Sequence, residues 1–310
     1  MPYTVAAFKK KAPAMLIKSA DDNSKDIETL HGLLNHPSAT PEVKKNIEQE
    51  IRAIQAGAKG EKEAAYEIDS HFKSNNWSVI HDLRIKHDGW SAQIDHIIIN
   101  RWLDIWVCES KHFVEGIAIN EHGECSSFLG GKAWGIPSPF EQNRKHCALL
   151  KEVFDHGAVE LPKRLGFSIT PDIKSLVLVS KNARITRPKT TIKGLDSILK
   201  ADQITARIDK DLDSDNNPLR TAKIVAPATL ERFARRLAAV HTPAVFDWHA
   251  KFGLSKEPVA SGSILPVHSN AAPKATAPEM RAEREKASNH SCLSCGDQRV
   301  RQRLQVLLVQ

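Results

Sequence analysis

The sequence predicts an α/β fold, and three observations predict it. Strand-like apolar runs follow one another at residues 77–83, 92–100 and 105–113, with a further buried strand expected at 173–180. Segments with apolar residues at helical spacing lie before and after them. From about Leu254 the composition shifts to Pro, Ala and Ser with almost no large apolar residues, so the packed region is expected to stop there.

The elements follow in order. Residues 1–25 are polar and irregular and read as a loosely held arm. Ile27, Leu30, Leu33 and Leu34 set a helix over 26–35. Thr40 is a good N-cap with Pro41 at the first helical position, and Ile47, Ile51 and Ile54 carry a second helix to about Ala56. Gly57 and Gly60 punctuate GAKGE, and a third helix is expected over 61–74 on a stripe of Ala65, Ile68 and Phe72. After the three strands, EGIAINEHGECSSF adds a short hairpin. Pro137 and Pro139 precede a helix over 140–154, and Leu230, Phe233, Leu237 and Val240 mark another over 229–241. The division expected is a helical lead-in over 1–56, a main domain over 57–250, a disordered linker over 251–290 and a tail over 291–310.

Composition bounds the function. Of 310 residues, 41% are apolar and 26% charged, an ordinary globular balance. No run approaches the ~18 apolar residues of a membrane span, so no membrane partner is expected. Lys9, Lys10 and Lys11 have no apolar core behind them, so the start does not read as a secretory signal. Cys108, Cys125 and Cys147 are scattered rather than framed as disulfides, which places the expectation in a reducing, cytoplasmic setting. The net charge of +7 favours a polyanionic partner without choosing one.

The chemistry concentrates in QIDHIIINRWLDIWVCESKHF, residues 93–113. Taken as a hairpin, its second strand points Val107, Glu109 and Lys111 to one face and Cys108 and Ser110 to the other. Asp95 joins Glu109 and Lys111 if the register permits, while His96 points away and reads as a packed or surface residue. Two carboxylates in an apolar sheet repel one another and are costly to bury. A divalent cation resolves both problems, and Mg²⁺ suits an Asp and a Glu with retained waters. Lys111 is then placed to act on a water or on transition-state charge, and metal-assisted phosphodiester hydrolysis fits these groups best. Spacing also turns Glu61 inward on its helix, with Glu63, Glu67 and His71 on another face. Gln142, seven residues before Leu149, turns inward as well. Against this stand plainer readings: a sheet-edge ion pair for Glu109 and Lys111, a helix-dipole contact for Glu61, a satisfied amide for Gln142.

The order GAKGE, QIDHIII, VCESK and SPFEQNRKH resembles the nuclease-related domain (NERD) family of the PD-(D/E)XK nuclease superfamily. The resemblance covers about residues 57–155; Ile94 stands where the superfamily pattern has Pro. It implies a mixed central sheet flanked by helices, restriction-endonuclease-like. It also implies Mg²⁺ or Mn²⁺ held by Asp95 and Glu109 with Glu61, Lys111 as the catalytic lysine, and Gln142 in the last motif. The implied activity is hydrolysis of nucleic acid, DNA first; the alternative is a non-catalytic nucleic-acid-binding or regulatory module on the same fold.

The remaining features are weaker. Arg144, Lys145 and His146, and a basic stretch of Lys181, Arg184, Arg187, Lys189 and Lys193, are either phosphate contacts or solvated faces. Trp90, Trp102, Trp106 and Trp134 read as core rather than as a base-stacking platform. Cys292 and Cys295 supply half the ligands of a zinc site, with no cysteine after them, so zinc is not assigned.

Overall fold

The computed structural model describes residues 15–164, 166–214 and 222–256. In chain order the elements are β1 (Met15–Lys18), α1 (Ser24–Leu34), α2 (Pro41–His71), β2 (Trp77–His87), β3 (Trp90–Asn100) and β4 (Asp104–Lys111). Then come β5 (Gly116–Ile119), β6 (Cys125–Leu129), β7 (Lys132–Ile136), α3 (Pro139–Asp155), β8 (Lys163–Arg164), β9 (Phe167–Ser168) and β10 (Asp172–Val179). The last are β11 (Arg184–Thr186), β12 (Ile198–Lys200), α4 (Ile204–Asp213), α5 (Pro227–Ala239) and α6 (Trp248–Phe252).

The central sheet is mixed, in the order β1-β2-β3-β4-β10-β12. The β2–β3–β4 meander is antiparallel, as the short connections require, while β10 returns parallel to β4 after the crossover through α3. A smaller sheet, β11-β5-β6-β7, contains the hairpin expected after residue 113. Helices cover both faces of the central sheet. Ile97, Ile99, Ile105 and Val107 pack against Leu150, Val153 and Phe154 of α3 and Leu230 and Phe233 of α5. On the reverse face, Ile98, Trp106 and Cys108 pack against Ala64, Ile68 and Phe72 at the end of α2 and Ile204 and Ile208 of α4. β3 and β4 are therefore apolar on both sides, as a sheet sandwiched between helix layers demands.

Five expectations need correction. The glycines of GAKG do not end a helix: α2 is continuous over 31 residues, from a Pro41 start capped by the Thr40 side chain to His71. Gly60 sits where α2 crosses β4, and a Cβ there would lie 2.8 Å from the Cβ of His112. The small residue serves a close helix–sheet approach rather than a turn. The buried residue of the stripe is Ala64, not Ala65. The supposed arm contributes β1, which pairs parallel with β2. At the other end α6 straddles the expected boundary at residue 250, and Trp248 and Leu254 are buried against Leu30, Leu33, Ile47, Ile51 and Ile54 of the lead-in. Of the tryptophans, Trp106 is core but Trp90 is 59% exposed at a hairpin tip. The linker and tail beyond residue 256, with Cys292 and Cys295, lie outside the described residues.

Two glycine substitutions separate propensity from packing. Gly32 lies in α1 with open space around its Cβ position, so Gly32→Ala should stabilise the protein by about 0.5–1 kcal/mol in urea unfolding. Gly60→Ala gains the same propensity, but overpacking against His112 costs about 1–3 kcal/mol, so the net change should be destabilising. Equal stabilisation by both would contradict the close approach.

Candidate active site

The site forms where two strands part. β3 and β4 are paired from Ile99↔Ile105 to His96↔Cys108 and no further. Beyond that point β3 continues with β2 as far as the His87↔Trp90 pair, while β4 continues with β10 to Val179↔Lys111. Continuing the register one step sets Asp95 opposite Glu109, at the throat of the fork. The Ser110 N–H, which loses its ladder partner there, donates instead to Asp95 Oδ2 at 2.8 Å. Asp95 is 5% and Glu109 3% exposed, on the face covered by α3.

Helix α3 supplies the next groups. Glu109 Oε1 accepts from Lys111 Nζ and from Gln142 Nε2, each at 2.7 Å. Lys111 Nζ also donates to Gln142 Oε1 at 3.0 Å, closing a triangle. The other oxygen, Oε2, lies 3.3 Å from His146 Nδ1, within ion-pair distance. Neither of these two buried atoms makes a well-aligned hydrogen bond. Burial works to raise the Glu109 pKa, but the Lys111 ammonium and His146 outweigh it and hold the carboxyl at about 2.

The position of α3 is set by Asn143. Its Nδ2 lies 2.8 Å from Val107 O, Ser175 Oγ and Leu176 O, so one amide pins the first turns of α3 across β4 and β10. Gln142 and His146 are one turn apart and flank that anchor. The sequence left His146, with Arg144 and Lys145, as either a phosphate contact or part of a solvated face. In the structure His146 is buried and faces Glu109, while Arg144 and Lys145 are exposed.

A second polar chain runs through the sheet's other face. Ser110 Oγ is 2.8 Å from His96 Nε2, His96 Nδ1 is 2.8 Å from His81 Nδ1, and His81 Nε2 is 3.1 Å from Asp69 Oδ1 on α2. An ionised carboxylate only accepts, which assigns the hydrogens in one direction. His81 donates to Asp69, His96 donates to His81, and the Ser110 hydroxyl donates to His96. Burial lowers the pKa of both imidazoles, that of His96 well below 6.5 with His81 adding to the effect, so both are neutral as the direction requires. Ser110 thus joins the two layers, holding Asp95 through its backbone and the histidine chain through its side chain.

Glu61 is carried by a different helix layer from Gln142 and His146. It is half-buried on α2, which covers the face opposite α3, one residue beyond the contact between Gly60 and His112 at the end of β4. Beside that contact a cavity of about 480 Å³ is lined by Lys59, Lys62, Glu63, Glu67, Lys111 and Lys181. Spacing had set Glu63 and Glu67 off the functional face; they line this cavity instead.

The buried ionisable groups make the fold acid-sensitive in two windows. Neutral His81 and His96 refuse protons that the unfolded chain takes up below pH 6.5, so their contribution is full above that value and falls as pH drops. The depressed Glu109 pKa stabilises the fold above the ordinary 4.5, and that contribution is lost as pH falls toward 2. Urea unfolding across pH should show the first slope flattened in His96→Leu and the second in Glu109→Gln. Unchanged slopes would contradict these assignments. His96→Leu should also lower stability by about 1–3 kcal/mol by stranding its partners.

The comparisons bear on this same segment. Residues 56–180 match the family model described as the nuclease-related domain. Neither the curated proteins nor the solved structures give a match. The matched residues run from the middle of α2 to the end of β10 and include Asp95, Glu109, Lys111 and Gln142. The part of this chain built around the β3–β4 fork is thus the part that is similar to the nuclease-related domain (NERD).

Proposed function

We propose that the chain is a metal-dependent nuclease that hydrolyses phosphodiester bonds in nucleic acid, with DNA as its substrate. The observation that carries this reading is the state of the Glu109 carboxylate. One oxygen is saturated by Lys111 and Gln142; the other is buried at the fork, 3.3 Å from His146 Nδ1 but without an aligned hydrogen bond. A buried oxygen left in that condition is costly unless it takes a further partner. A hard divalent cation fits it, because Mg²⁺ and Mn²⁺ accept oxygen ligands from one or two carboxylates and keep several waters. Asp95 and Glu109 would hold the ion, with Glu61 joining from α2 through a water. Bound there, Mg²⁺ or Mn²⁺ would make a water more acidic and neutralise phosphoryl charge.

The chain's own residues divide the remaining work. Lys111 presents an ammonium that can hold the attacking water or stabilise charge on the pentacovalent phosphorus. Gln142 orients it, because the same amide accepts from Lys111 and donates to Glu109. Ser110 fixes the Asp95 carboxylate from the backbone. Lys59, Lys62 and Lys181 around the adjoining cavity suit a sugar–phosphate backbone approaching Lys111. A second cleft, of about 830 Å³, adds Arg144, Lys174, Lys193 and Arg207.

Cleavage of supercoiled plasmid and linear duplex DNA in Mg²⁺, Mn²⁺ or EDTA tests the reading. Wild type should cleave only with metal, and Asp95→Ala and Lys111→Ala should each slow cleavage by about a hundredfold or more. Cleavage that survives EDTA or both substitutions would remove this site as the catalyst. Metal-independent binding of DNA without cleavage would favour the non-catalytic module.

A further inference from the structure

We infer that the chain carries a second metal site, for a borderline divalent ion of the Zn²⁺ class, at the end of the molecule where the β2–β3 hairpin meets the C-terminus of α3. Its ligands are His87, Asp88 and His156. One nitrogen of each imidazole and one Asp88 carboxylate oxygen all lie within 4.8 Å of one another. His87 Nε2 is 3.6 Å from Asp88 Oδ2, and the two imidazole centroids are 5.1 Å apart. Donors around a four-coordinate ion at about 2.0–2.2 Å must sit close to such separations.

Two further observations point to a ligand. His87 Nε2 is buried and has no hydrogen-bond partner, although it lies beside two polar groups. An imidazole nitrogen left this way is satisfied by an ion taking its lone pair. His156 Nδ1 is 3.0 Å from the Glu152 carbonyl oxygen, so it carries the hydrogen and leaves Nε2 as the free donor. That is the second-shell bond by which ligating histidines are oriented.

The surroundings suit a cation and this class of cation. His156 is the C-cap of α3, where the helix presents carbonyls and partial negative charge, and the last turn holds no basic residue of its own. The Glu152 carboxylate, 3.4 Å from His156 Nδ1, adds to that field. Asp88 and Gly89 form the two-residue loop of the β2–β3 hairpin, both with positive φ, so the turn fixes Asp88 beside His87. Two nitrogens and one carboxylate select Zn²⁺, Cu²⁺ or Ni²⁺ over Mg²⁺, which separates this site chemically from the oxygen-lined fork.

Calorimetric titration of the full chain with Zn²⁺ tests the inference. Excess Mg²⁺ is kept present and Cys292→Ser/Cys295→Ser is the parent, so that neither the fork nor the CxxC pair contributes. The parent should take up one equivalent, and His156→Gln and Asp88→Asn should each weaken it at least tenfold. Both positions are exposed, and equal melting temperatures without Zn²⁺ would show that the variants fold. No uptake by the parent, or an affinity unchanged in either variant, overturns the three-ligand site. The readout does not involve cleavage, so it stands or falls independently of the nuclease reading.

Discussion

A carboxylate buried in the middle of a sheet is the constraint around which this structure is arranged. Glu109 is charged, 3% exposed and placed between helix layers. A charge in that position requires neutralising and hydrogen-bonding partners. Lys111 comes from its own strand, two residues on, and Gln142 and His146 come from α3. Those α3 residues reach Glu109 only because the Asn143 amide locks the helix across β4 and β10. The parallel return of β10 beside β4 is what brings the Leu176 carbonyl within reach of that amide. The order of the sheet and the state of one carboxyl are thus parts of the same arrangement.

The fork gives that charge its surroundings. A continuous β3–β4 ladder would have closed the space between Asp95 and Glu109 with backbone hydrogen bonds. The ladder instead stops at His96↔Cys108, and the freed Ser110 N–H is taken by a side chain. Ser110 also meets the histidine chain to Asp69, so a defect on the α2 layer would be felt at Asp95 through one residue.

Much of the fork was legible in the sequence because strand alternation is fixed by covalent geometry. Glu109 and Lys111 had to share a face, and Asp95 needed only the register of a short hairpin to join them. Helix faces were harder to read. Leu149 and Leu150 are adjacent and both apolar, so the inward stripe of α3 could be drawn through either. It passes through Leu150, which turns Asn143 and His146 fully inward and leaves Gln142 at the edge. Glu63 and Glu67 were misplaced for the same reason, once the stripe was drawn through Ala65 instead of Ala64. The Asp69–His81–His96–Ser110 chain left only a faint trace, polar residues on the second face of buried strands, because its members meet only when α2 packs on the sheet. GAKG misled because glycine's cost to a helix, about 1 kcal/mol, is small against a packing requirement.

The uninterrupted course of α2 has a mechanical consequence. At 31 residues it is a rod of roughly 45 Å. One end is gripped by α1 and α6 around Trp248, with the Trp248 indole donating to Asp26 and Lys251 paired with buried Glu50. Farther along, Gly60 bears on His112, and Asp69 holds the histidine chain. A helix with a glycine hinge would absorb a shift at its gripped end. α2 instead keeps its helical course through Gly57 and Gly60, so a rotation imposed at the terminal grip would be carried like torque along a shaft, past the exit of β4 to the residue that anchors Asp95.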